Sequence, residues 1–178
     1  RASDGAGRTW EAPCAVIAAG TSSARMEMLG WLPLQSIRGQ TTRLPASAAS
    51  GALRAALCHE GYIAPARAGA HCIGATFGPH DSDPALRAAD HASNIASLAR
   101  AVPAWQESLE QHDSATLGGK VGFRCASPDY LPLVGPVPDR EAFLRDFAGL
   151  RSNARQAIPQ RGEYLNGLFL STAHGSRG

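Results

Sequence analysis

The apolar positions of this chain change period several times, and each change marks an element. Cys14–Gly20 reads CAVIAAG, a short apolar run closed by glycine, the pattern of a buried parallel strand. Pro33–Pro45 (PLQSIRGQTTRLP) alternates apolar and polar residues between prolines and predicts a second strand. Glu60–Phe77 carries two β-branched and aromatic runs around Arg67–Gly69, a hairpin pattern. The period then lengthens. Leu86, Ala89, Ile95, Leu98 and Val102 fall on one helical face, with Asp83 as the expected cap, Pro84 at the first helical position and Pro103 as the stop. A short helix over Trp105–Glu110 and a strand over Gly118–Ser127 follow. Pro128–Asp139 holds four prolines and is predicted as a rigid loop. Asp139 should cap a helix with Phe143, Phe147 and Leu150 on one face, and Gly167–Ser171 should form the last strand. The sum is an α+β fold: a mixed, largely antiparallel sheet with helices on one side.

Composition narrows the class. At 178 residues, 44% hydrophobic and 18% charged, the chain can bury a core without disulfides or metal. The net charge of +2 is too small to argue for nucleic acid by itself. No apolar run approaches the ~20 residues that cross a bilayer, and RASDGAGRTW at the start has no signal core, so a soluble cytoplasmic protein is expected. Cys14, Cys58, Cys72 and Cys125 form no CxxC pair, the pattern of free and mostly buried thiols.

Four constellations could carry chemistry. Cys58, His59, His71 and Cys72 frame the hairpin, but adjacent strand residues point to opposite faces, so no metal site is assigned. Arg124 sits between Phe123 and Cys125 in an expected core strand. A guanidinium there needs an anion, either a ligand or an internal acid such as Asp129. The stretch GLFLSTAHGSRG, like VIAAG earlier, ends a strand in a glycine loop that can aim N–H groups at an anion. Arg151, Arg155 and Arg161 are separated by no acid and suit either phosphates or a solvated face.

Taken in order, VIAAG, LPLQSIRGQTTRLP, GYIAP, HCIGATF, GFRCASPDYLPLVG and GLFLSTAHGSRG resemble the D-amino-acid-oxidase-like FAD-dependent oxidoreductases. RGQ, GAT, LPLVG and HGSRG resemble most closely the branch that works on the wobble uridine of tRNA. That resemblance implies FAD as cofactor, tRNA as substrate and a fused methyltransferase domain. It also implies oxidative removal of the carboxymethyl group from 5-carboxymethylaminomethyl(-2-thio)uridine, releasing glyoxylate. It further implies a fragment: residues 1–32 and 163–178 as remnants of a split FAD domain around a substrate domain at 33–162. No GxGxxG is present, so this piece alone is expected to hold no FAD tightly and to be inactive alone. By the same resemblance Arg124 clamps a substrate carboxylate and the Tyr62 hydroxyl assists. Gly20, Arg38, Gly39, Gln40 and Gly135 would lie near the flavin, Gly135 in a tight turn. His174, Gly175, Ser176, Arg177 and Gly178 would flank its pyrimidine edge. Two other readings stay open: a free-amino-acid oxidase acting on glycine, sarcosine or a D-amino acid, and a non-catalytic tRNA-binding module resting on the arginine stripe.

Overall fold

The computed structural model describes residues 1–158 and 161–175. Its strands are β1 (Ala2–Ser3), β2 (Thr9–Trp10), β3 (Ala15–Ile17), β4 (Gln35–Pro45), β5 (Leu57–Cys58), β6 (Tyr62–Ile63), β7 (Ala70–Gly74), β8 (Gly78–Pro79), β9 (Gly118–Ala126), β10 (Leu133–Pro138) and β11 (Tyr164–Thr172). Its α-helices are α1 (Ala88–Ala101), α2 (Gln106–Glu110) and α3 (Arg140–Asp146). They form two compact units, Gln35–Arg124 and Arg1–Leu34 with Cys125–Gly178. The stretch 125–162, expected with the middle domain, sides with the termini because β10 pairs with β11.

In the Gln35–Arg124 unit the sheet runs β5-β6-β7-β4-β8, and β9 also pairs with β4. The hairpin turns where expected: Ala68 and Gly69 both adopt positive φ between paired Arg67 and Ala70, as a two-residue loop requires. Leu44, Ile63 and Ile73 from the sheet meet Leu98 and Leu109 from the helices to form the core. Each such side chain contributes about 1.5–3 kcal/mol on burial.

The first helix departs from expectation. It begins at Ala88, not beside Asp83, and its buried side is His91, Asn94 and Leu98. The buried Arg38 explains the late start. Its Nε donates to the carbonyl of Asp83 and its Nη2 to that of Ala85, while Arg87 N, the donor a helical turn from Asp83 would need, goes to Gln40 Oε1 instead. Asp83 instead accepts from Ala85 N and from Arg87. The polar helix face is paired too: Asn94 Nδ2 donates to Gln40 O and Thr42 Oγ1, and His91 Nδ1 shares a 2.8 Å bond with Thr42 Oγ1.

The terminal unit holds a three-stranded sheet ordered β10-β11-β3. β3 is parallel to β11, as its apolar run predicts. It is not buried, however: it occupies the sheet edge, and Val16 is 64% exposed. Val137 and Leu170 pack with Leu29 and Leu32 on the opposite face. The proline-rich segment is strand as well as loop. β10 lies on an edge, where proline's missing N–H costs no ladder bond, and a bulge separates Pro136 from Pro138. Asp139 caps α3 as expected, accepting from Glu141 N and Ala142 N. The cysteines are not buried: Cys14, Cys58 and Cys72 are exposed and Cys125 is half-exposed. No helix among the described residues is long and apolar enough to cross a membrane.

Candidate functional site

β4 alternates, so its even-numbered side chains enter the core beneath α1 while Gly39, Thr41 and Arg43 face the other way. Arg124, on the neighbouring β9, lays its guanidinium across Gly39. A methyl group at Gly39 would come within 2.3 Å of Nη1 and 2.8 Å of Cζ, so only glycine leaves the guanidinium that seat. Nη1 donates to the carbonyl of Thr76 at 3.2 Å. Arg124 forms no ion pair among the described residues. β9 is mostly exposed, so Arg124 is half-buried at a surface, not embedded in a core strand. Asp129, the acid considered as its partner, is occupied locally, accepting from Ser127 Oγ at 2.7 Å and Leu131 N at 3.1 Å.

The guanidinium opens into a cavity of about 290 Å³ whose walls include Tyr62, Ala75, Thr41 and Lys120, with no carboxylate among its lining residues. Tyr62 places its hydroxyl 3.6 Å from Cys72 Sγ. Burial, helped by that thiol, pushes the phenol up to about 12, with Arg124 pulling weakly the other way. The hydroxyl is therefore neutral and able to donate at ordinary pH. One fixed cation and one neutral hydrogen-bond donor thus line an acid-free hollow, the chemistry that an anion would meet there.

Arg38 and Gln40 have a different place. Arg38 is 2% exposed and pairs with Asp90 at 2.5 Å. Gln40 is fully buried, donating to Arg87 O and accepting from Arg87 N. Both side chains join strand to helix, and of the RGQ segment only Gly39 meets the cavity. Thr41, Ala75, Thr76 and Lys120 escaped the sequence reading. Strand alternation from Gly39 could have found Thr41, but the others depend on which strands neighbour β4.

In the terminal unit, Gly20 and Gly175 follow the C-terminal ends of the parallel β3 and β11, where α/β sheets bind ligands. Both have positive φ. Thr172 Oγ1 donates to Gly20 O, Gly175 N donates to Cys125 O, and His174 Nε2 lies 3.1 Å from Ser171 Oγ. Gly135 makes no tight turn: it sits within β10 opposite Leu170, because the loop predicted there is strand. Ser176, Arg177 and Gly178 lie outside the described residues.

A strand-mounted arginine thus faces an acid-free cavity in one unit, and a parallel strand pair ends in glycine loops in the other. The chain belongs to the FAD dependent oxidoreductase family (DAO), which residues 2–178 match. It is 45% identical over 176 residues to the tRNA 5-methylaminomethyl-2-thiouridine biosynthesis bifunctional protein MnmC of Stutzerimonas stutzeri (strain A1501), covering 98% of this chain and 27% of that one. The protein of the same name from Saccharophagus degradans is 44% identical over 92% of this chain and 23% of its own. The chain thus spans about a quarter of the length of these curated relatives. Its fold is shared by the glycine oxidase of Geobacillus kaustophilus, with a TM-score of 0.67 at 23% identity over 98% of this chain and 39% of that one. The iminodiacetate oxidase of Chelativorans sp. BNC1 gives 0.62 at 18% identity over 96% and 39%.

The residues present fit FAD only in part. Gly20 and Gly175 leave backbone free of side chains at the strand ends, as a flat ring needs, but no GxGxxG is there to cradle a diphosphate.

Proposed function

We propose that this chain supplies the substrate grip of an FAD-dependent oxidoreductase that removes the carboxymethyl group from 5-carboxymethylaminomethyl(-2-thio)uridine at the tRNA wobble position. The observation that carries this reading is Arg124, held over Gly39 with no acid of its own among the described residues. The group to be removed is an N-alkyl glycine, whose carboxylate can accept two parallel N–H bonds from one guanidinium. The neutral Tyr62 hydroxyl can donate a further bond. Fixing the carboxylate fixes the adjacent CH₂, and positioning is most of what the protein contributes. A flavin held beside that CH₂ would supply two-electron oxidation of its bond to nitrogen, and water adding to the resulting imine would break the C–N bond and release glyoxylate from the aminomethyl uridine. The names of the relatives support tRNA as the carrier of the amine and a second activity on the same polypeptide.

The test is a chimera in which this chain replaces the matching segment of the Stutzerimonas stutzeri protein. With carboxymethylaminomethyl-bearing tRNA, Arg124→Gln should lower kcat/KM by about 2–4 kcal/mol, mainly through KM. Unchanged kinetics would remove the clamp, and faster turnover of free glycine than of tRNA would replace the substrate. The 178-residue chain alone should show no tight flavin uptake, read by FAD fluorescence quenching. Purification as a yellow protein would contradict that.

A further inference from the structure

The candidate carboxylate site continues along the sheet into a second hollow. That neighbour, of about 290 Å³, shares Thr41 and Lys120 with the first and adds Arg43 and Arg67. Arg43 comes from the outward face of β4 and Lys120 from β9; Arg67 comes from the hairpin turn. All three are exposed, none forms an ion pair among the described residues, and no acid is among the lining residues. By contrast Arg8, Arg38, Arg87, Arg100 and Arg145 all have carboxylate partners. Lys120 is also the chain's sole lysine.

We propose that Arg43, Arg67 and Lys120 form a track for the phosphodiester backbone of a polynucleotide whose reacting base lies at Arg124. The inference rests on the reading of the site as one acting on a nucleic-acid base. A small amino acid needs one cation for its carboxylate and gives the other three nothing to hold. A strand with a phosphate at each nucleotide supplies charges on both sides of the base. Exposed cations contact such a backbone without sequence preference, and their contribution shows as salt dependence. The stripe of Arg151, Arg155 and Arg161, exposed beyond α3, belongs to the other unit.

The experiment measures binding of a synthetic RNA stem-loop to the 178-residue chain by fluorescence anisotropy across a salt series. Replacing Arg43, Arg67 and Lys120 together by alanine should weaken binding at low salt by about tenfold or more. It should also flatten the slope of log K against log salt by about 2, at roughly 0.7 for each phosphate no longer neutralised. Exchanging them as Arg43→Lys, Arg67→Lys and Lys120→Arg should retain the slope, which separates a charge effect from a folding effect. The matched alanine replacement of the exposed Arg8, Arg54 and Arg100 should change it little. A slope equally flattened by the matched set, or unchanged by the first, overturns the proposal. So does polyglutamate competing as well as RNA at equal charge. If the track variants lose RNA while Arg124→Gln leaves chimera turnover intact, the track stands and the clamp falls. Loss of turnover on Arg124→Gln with RNA binding untouched by the track variants overturns the track alone.

Discussion

The two faces of β4 treat charge in opposite ways. On the inner face Arg38 is buried and its guanidinium is fully answered: Asp90, Gln40 and two backbone carbonyls accept from it, while Asn94 and His91 meet Gln40 and Thr42 alongside. On the outer face, beside Gly39, Arg124 donates to a single carbonyl among the described residues, and Arg43 and Lys120 have no acid among the residues lining their hollow. The inner arrangement is what a folding chain must do, because an unpaired buried charge costs several kcal/mol. The outer arrangement brings no such return to stability. Cations left open around acid-free hollows make sense as receptors for charges that arrive from elsewhere.

The comparison can be broken first at its most expensive point. Arg38→Ala leaves Asp90 without its partner and two carbonyls without donors, and should destabilise the chain by about 3–5 kcal/mol. Arg124→Ala removes one long hydrogen bond at a half-exposed site and should cost no more than about 1 kcal/mol. Urea denaturation of the two variants reads the difference directly. Equal losses would mean that Arg124 is as structural as Arg38.

The two arginines also measure how far the sequence could be read. Strand alternation places Arg38 and Gly39 on opposite faces, but not which face meets α1. That depends on α1 presenting His91 and Asn94 inward, a polar side that apolar periodicity assigns to solvent. The strands themselves were legible from alternation in β4, from β-branched and aromatic runs in the hairpin, and from an apolar run in β11. The helix start was not, because Arg38 and Gln40, more than 40 residues earlier in sequence, bond the Asp83 carbonyl and the Arg87 N–H there. The proline-rich segment misled for a related reason: proline excludes a central strand but not an edge one, and edge position is a property of the assembled sheet. Arg124 was legible as an arginine needing an anion. That its seat is Gly39, on a strand far away in sequence, was not, although resemblance had marked that glycine for another role.

A smaller effect tests that seat. Gly39 does not need positive φ, so alanine is compatible with its backbone and should leave stability unchanged or slightly higher. Its methyl group would nevertheless occupy the place of the guanidinium, which sits at the free end of a flexible side chain and can swing aside. Gly39→Ala in the chimera should therefore lower kcat/KM by about ten- to a hundredfold with an unshifted urea midpoint. A large stability loss with proportionate loss of activity would make Gly39 a packing residue only.

The mildest prediction concerns Tyr62, the other member of the outer face. Its phenol titrates near 10.0 in an unfolded chain and is pushed up to about 12 in the folded one. Between those values the unfolded chain has released a proton that the folded chain still holds, so stability declines as pH rises through this window and is untouched below it. Tyr62 is only part-buried, and solvent screening keeps the decline small. Urea midpoints measured from about pH 9 to 12 should fall less steeply in Tyr62→Phe than in the parent chain. In the chimera, the same variant should lower kcat/KM at neutral pH by several-fold, about 1 kcal/mol for one neutral hydrogen bond. A parent pH–rate profile that rises with deprotonation of this tyrosine would mean that the hydroxyl acts as a base, and the donor role would fall with it.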